Sequence, residues 1–240
     1  MFILDPTYFL VIIGLIITII ASTKLNSTYS KYSKIRSSSG MTGADVAKKI
    51  MSSNGIYGVT VQEVSGNLTD HYDPAKKTVN LSSGVYSGTS IAALGVAAHE
   101  CGHVIQDNTE YFPLRLRHAL VPVANMGSKL GFPLIIIGLL FGGVINNVAR
   151  TNLADKIITI GIICYGLAVL FQVVTLPVEY NASNRAKEQL FSLGIITEEE
   201  KSSVKQVLSA AALTYVASAL SSSLQLLRLI LLTGGGNRRR

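Results

Sequence analysis

Gly95-Val-Ala-Ala-His99-Glu100-Cys101-Gly102-His103-Val-Ile-Gln106 is the stretch on which this chain turns. Ala92, Ala93, Gly95, Ala97 and Ala98 are small residues that let another element approach a helix closely. On such a helix His99 and His103, four residues apart, lie one turn above each other on one face. Two imidazoles at that spacing can share one metal ion. Glu100 leans over the same open side, where a carboxylate can take a proton from metal-activated water. The competing possibility is a surface helix that happens to carry two histidines, so context has to choose.

Composition narrows that context. Hydrophobic residues make up 48% of the 240 and charged residues only 15%, against about 25% charged in soluble proteins. A mean hydropathy of +0.40 points the same way, towards a membrane protein. The length allows one good-sized domain, or a small domain with membrane helices. A net charge of +7 would suggest nucleic acid only if the basic residues clustered on a folded face. Many flank apolar runs instead, and no basic face is interleaved with aromatics, so nucleic-acid binding is excluded. Cys101 and Cys164 cannot build a disulfide framework and read as reduced fillers.

Residues 1–23 read as an N-terminal transmembrane anchor built on the apolar run Phe9 to Ala21. Asp5 precedes the run and Lys24, Lys31, Lys34 and Arg36 follow it, the reverse of a secretory signal. The positive-inside rule then puts residue 24 onwards in the cytoplasm. The run is short, about 16 residues against the usual 20 or so. Residues 24–40, rich in Ser, Thr, Tyr and Lys, read as a linker.

A compact polar region, 41–129, follows. Thr42 caps a helix running to about Asn54, Val59 to Val64 alternates as a strand, and Gly66-Asn67 and Asp73-Pro74 mark turns. A second strand is expected at Thr78 to Ser82, and Ser90 caps the motif helix. Leu130 to Val148 and Ile157 to Val178 carry no charge, and each is long enough to span a bilayer. They make a transmembrane hairpin over 130–178, with Arg150, Asp155 and Lys156 in its short loop and Pro177 closing the second span. Residues 179–205 are polar and helical. The last region, 206–240, holds an apolar helix and a basic tail. That helix could span, but Ser218, Ser221, Ser222 and Gln225 share one face, and a crossing would put Arg238 to Arg240 outside. A helix packed on protein, or lying in the interface, is favoured. The expected fold class is a mainly α membrane protein with three or four transmembrane helices and a small α+β zincin-like catalytic domain.

A catalytic zinc of this kind needs a third protein ligand and an open position. Asp107 shares the histidine face, but three ligands along one straight helix would span about 12 Å. Asp155 lies across the membrane in this topology, and Glu188 and Glu198 to Glu200 read as solvated helix charges. Glu179 remains, directly after Pro177-Val178 at the cytoplasmic end of a span. Two crossings return it to the side of His99 and His103. An acid there could instead cap a helix dipole. The expected site is one Zn2+ per chain on His99, His103 and Glu179, with Glu100 as general base.

Asp73-Pro74, Thr78-Val-Asn-Leu-Ser-Ser-Gly-Val-Tyr86, Ser90-Ile-Ala-Ala-Leu94, Ala97-Ala-His-Glu-Cys-Gly-His-Val-Ile-Gln106 and Pro177-Val-Glu-Tyr-Asn-Ala-Ser-Asn-Arg-Ala186 together resemble the YugP-type bacterial membrane zinc metallopeptidases. The resemblance covers Gly40 to about Leu232. More distantly, the chain is similar to the HtpX-type membrane gluzincins. In those, a Glu beyond intervening spans is the third ligand, which implies that role for Glu179, and an Asp four residues later braces a ligand histidine. This chain has Ser183 there, able to hydrogen-bond an imidazole without charge. The resemblance implies hydrolysis of peptide bonds in protein or peptide substrates at the cytoplasmic face of a bacterial plasma membrane. Tyr180, His71, Tyr72 and Arg185 are then candidates to stabilise the transition state. Thr78, Val79, Asn80, Leu81 and Ser82, as an exposed edge strand, could pair with an extended substrate. The sequence does not specify an oligomeric state. The alternative is a non-catalytic zinc-containing membrane scaffold, but a purely structural site needs no general base, and Glu100 is present.

Overall fold

The structure, a computed structural model, describes residues 6–141 and 152–234. Arg150 and Arg238 to Arg240, which entered the expected topology, lie outside them. Along the described chain run α1 (Tyr8–Tyr32), α2 (Gly43–Ser53), β1 (Thr60–Val64), β2 (His71–Asp73), β3 (Thr78–Ser82), α3 (Ser83–Tyr86), α4 (Ile91–Asn108), α5 (Phe112–Phe141), α6 (Asn152–Ser192) and α7 (Glu198–Gly234). This is a mainly α membrane protein with a small α+β region. By length and composition α1, α5, α6 and α7 can each cross a membrane.

The apolar run near the N-terminus is short taken alone, but its helix continues to Tyr32 for 25 residues, about 37 Å of helix. Helical structure therefore enters the stretch 24–40 that reads as a linker. Likewise, α6 does not stop at Pro177. It carries that proline inside a helix of 41 residues, so Glu179 lies mid-helix rather than at a helix start. The helix-dipole explanation for an acid at this position is thereby removed.

The chain divides into two compact units. One gathers α1 up to Ile20, α5 from Leu116, α6 up to Thr175 and α7 from Tyr215. Within it α5 and α6 meet through small residues: a Cβ placed on Gly131 would lie 2.9 Å from the Tyr165 backbone nitrogen. The serine face of α7 has partners here too. Ser221 lies against Gly14 of α1, and Ser222 hydrogen-bonds Tyr165 of α6. Two serines of this polar stripe thus face neighbouring helices, whereas the buried Gln225 side-chain oxygen has no hydrogen-bond partner among the described residues.

The other unit comprises Ala21–Arg115 and Leu176–Thr214. Its sheet has the order β1-β3-β2. β3 runs parallel to β1, Thr60 opposite Thr78 through Val64 opposite Ser82, and antiparallel to β2, His71 opposite Asn80. The exposed-edge expectation for Thr78, Val79, Asn80, Leu81 and Ser82 is therefore overturned: β3 is the central strand and buried throughout. Three residues are too few for β2 to show alternation in the sequence. Side chains fasten it instead. Asp70 Oδ1 accepts from the Ser82 backbone N–H at 2.7 Å, and Asp73 Oδ1 accepts from Ala75 and Lys76 N–H at 3.0 and 3.1 Å, turning the chain back onto β3.

Helices cover this sheet. Thr42 and Asp45 form a capping box on α2, each side chain accepting the other's backbone N–H at 3.1 Å. Val46, Ala47 and Ile50 of α2 join Val79 and Leu81 of β3 and Leu94, Ala97 and Cys101 of α4 in one core. Ser90 Oγ accepts from Ala93 N–H at 3.2 Å, starting α4. On its far side α4 presses against α6 at Gly102, where a Cβ would lie 2.5 Å from the Ala182 carbonyl oxygen and 3.0 Å from its Cα. Both obstacles are backbone, so neither can swing away. Gly102→Ala should therefore destabilise this unit by about 1–3 kcal/mol, read as a lower thermal midpoint in detergent. An unchanged midpoint would mean that the helices are not held this close.

Candidate metal centre

His99 and His103 project from the same side of α4, with ring centroids 4.9 Å apart and planes at 85°. Glu179 comes from α6 and is 2% exposed. Its Oε2 lies 3.2 Å from His99 Nε2 and 3.6 Å from His103 Nε2. All three ligand atoms fall within 4.8 Å of one another. Among the described residues this is the one group of three or more His, Cys, Asp and Glu side chains that could hold a metal ion. Two imidazole nitrogens and a carboxylate oxygen, converging at a largely buried point, are the donor set that suits zinc. The residues fit the ion.

Each ring is held from behind through Nδ1. Ser183 Oγ, one turn beyond Glu179 on α6, lies 3.1 Å from His99 Nδ1. Gln106 Oε1 lies 3.0 Å from His103 Nδ1. Burial pushes the His103 imidazole towards its neutral form. The Glu179 hydrogen bond and the charges of Glu100 and Glu179 outweigh it and lift the pKa above that of a free imidazole. The carboxylates thus make this pocket attractive to positive charge, whether carried by a proton or by a metal ion. Glu100, next to His99 on α4, is buried and stands outside the ligand group.

The other candidates are distributed differently. Asp107 accepts from Tyr72 Oη at 2.7 Å and from Lys77 Nζ at 2.6 Å and is not part of the His99, His103 and Glu179 group. Arg185 Nε donates to Asn181 Oδ1 at 2.8 Å, with the guanidinium 6.0 Å from the centroid of the Tyr111 ring. His71 is exposed on β2 with Nδ1 2.8 Å from the Thr69 carbonyl oxygen, a contact within its own turn. Tyr180 is exposed on α6. Thr78 to Ser82 sit in the middle of the sheet and offer no free edge. Sequence reasoning missed Gln106 and Asn181. Gln106 lies three residues past His103, a helical neighbour on that face, and its spacing was the available signal.

The "Putative membrane protease YugP" of Bacillus subtilis (strain 168) is 47% identical to this chain over 218 residues, covering 91% of this chain and 92% of that protein. No solved structure matches. The family described as "Putative neutral zinc metallopeptidase" matches residues 7–234, which take in His99, Glu100, His103 and Glu179, and this chain belongs to that family.

Proposed function

We propose that this protein is a membrane-bound zinc metalloendopeptidase that hydrolyses peptide bonds of protein substrates at the cytoplasmic face of a bacterial plasma membrane. The observation that carries this is the meeting of His99, His103 and Glu179 at one point, with Glu100 beside them on α4 and outside the ligand set. A structural zinc site would have no use for that fourth side chain. Four helices able to cross a bilayer support the membrane setting. Lys24, Lys31, Lys34 and Arg36 support the cytoplasmic face, because they belong to the same unit as the metal centre and follow the first apolar run.

His99 Nε2, His103 Nε2 and a Glu179 carboxylate oxygen would hold one zinc ion per chain. When bound, zinc would lower the pKa of a water towards about 7 and polarise the scissile carbonyl. Glu100 takes a proton from the attacking water and hands it to the leaving amine, so the carboxylate ends the turnover as it began. Ser183 restrains the His99 ring by a neutral hydrogen bond, without the added basicity that a carboxylate partner would give. Among the transition-state candidates, Tyr180 is favoured. It follows Glu179 directly and its side chain is exposed, whereas Arg185, Tyr72 and His71 are bonded elsewhere.

Purified protein should carry about one zinc per chain by elemental analysis. Glu100→Gln should keep that zinc and lose at least about a hundredfold in cleavage of an unfolded substrate such as casein. Cleavage at the parent's rate would sink the general-base assignment. Glu179→Ala should lose the metal on dialysis, and full retention would move the third ligand to another residue.

A further inference from the structure

Gln106 is wholly buried, and each end of its side-chain amide has partners. Its nitrogen lies 2.8 Å from the Val178 backbone carbonyl oxygen and 3.0 Å from Asn181 Oδ1. Its oxygen lies 3.0 Å from His103 Nδ1. A backbone carbonyl can only accept a hydrogen bond, so the NH2 end must face Val178. Turning the amide over would set two carbonyl oxygens against each other in a buried place. Asn181 is fixed in the same way. Arg185 Nε donates to its Oδ1 at 2.8 Å, and a guanidinium has no acceptor to offer. Asn181 therefore presents oxygen to Gln106, and Gln106 presents oxygen to His103.

The consequence falls on the imidazole. Because Gln106 Oε1 can only accept, His103 must carry a proton on Nδ1, which leaves Nε2, on the Glu179 side, as the nitrogen that can give its lone pair to a metal. The His99 side has no such rule, since the Ser183 hydroxyl can donate or accept. We infer that Gln106 is a positioning residue that selects the metal-binding tautomer of His103, its own amide locked by the Val178 carbonyl and by Asn181 and Arg185 on α6. This rests on the metal-centre function proposed above. It adds a relay from α6, through α4, back to a ligand that α4 itself carries.

The test is zinc affinity, measured by chelator competition on the full-length protein in detergent. Gln106→Met, similar in length but without either polar end, should raise the zinc dissociation constant about 10–100-fold. A second pair of variants leaves α4 untouched. Asn181→Leu removes the acceptor that Gln106 and Arg185 share and should weaken zinc about tenfold. Asn181→Asp keeps an acceptor at the same place and should bind zinc several-fold tighter than Asn181→Leu. In the zinc-loaded parent, nitrogen-15 NMR of the four histidines should show His103 with its proton on Nδ1, assigned by loss of that signal in His103→Gln. Asn181→Leu and Asn181→Asp with equal affinities would overturn the relay, as would a His103 protonated on Nε2. If Gln106→Met does not fold, the Asn181 pair and the parent spectrum still decide. A parent that takes up no zinc would instead bring down the metal centre, and this relay with it.

Discussion

The approach of α4 to α6 at Gly102 and Ala182 is the constraint on which the functional centre depends. The two histidines of the candidate metal centre belong to one helix and Glu179 to another, 76 positions beyond His103. Only when the two backbones nearly touch can Glu179 Oε2 come within 3.2 Å of His99 and 3.6 Å of His103. A helix with a side chain at position 102 would stand off by the width of a methyl group or more, and side chains of fixed length could not make up the gap. Metal ligation tolerates distance errors of only about 0.2 Å. The glycine inside the His-Glu-X-X-His motif thus has a packing role distinct from the chemistry of its neighbours.

Burial makes the same centre electrically demanding. A buried carboxylate beside one buried and one half-buried imidazole is tolerated only when the polar atoms are paired. Here His99 meets Ser183, His103 meets Gln106, and Glu179 meets both rings. These partners do more than satisfy hydrogen bonds. A ring held at Nδ1 cannot rotate freely, so its Nε2 stays aimed at one point, which is the preorganisation that a metal site needs. Ser183 supplies this without charge. Glu179 and Glu100 supply negative charge near the rings, and the His103 imidazole responds with a raised pKa.

The small sheet illustrates how little of a strand's environment its own residues reveal. Thr78 to Ser82 reads as a strand and is one, but whether it is an edge depends on His71 to Asp73, a segment of three residues fastened by Asp70 and Asp73. In the same way the serines of α7 look ill-suited to a membrane until Gly14 and Tyr165 are set beside them. Both cases turn on the partner rather than on the segment.

The sequence by itself determined the helix carrying His99, Glu100 and His103, because ligand spacing on a helix is a local property with a period of 3.6 residues. It also determined the apolar helices, through their length and lack of charge, and it nominated Glu179 by elimination and by resemblance. Only the tertiary structure decided that Glu179 sits mid-helix, that it meets the two histidines, that Asp107 is tied to Tyr72 and Lys77, and that Gln106 backs His103. The physical reason is range. Helical periodicity and hydropathy act over neighbouring residues, whereas a hydrogen bond between α4 and α6 joins residues more than seventy positions apart and leaves no period in the sequence from which to read it.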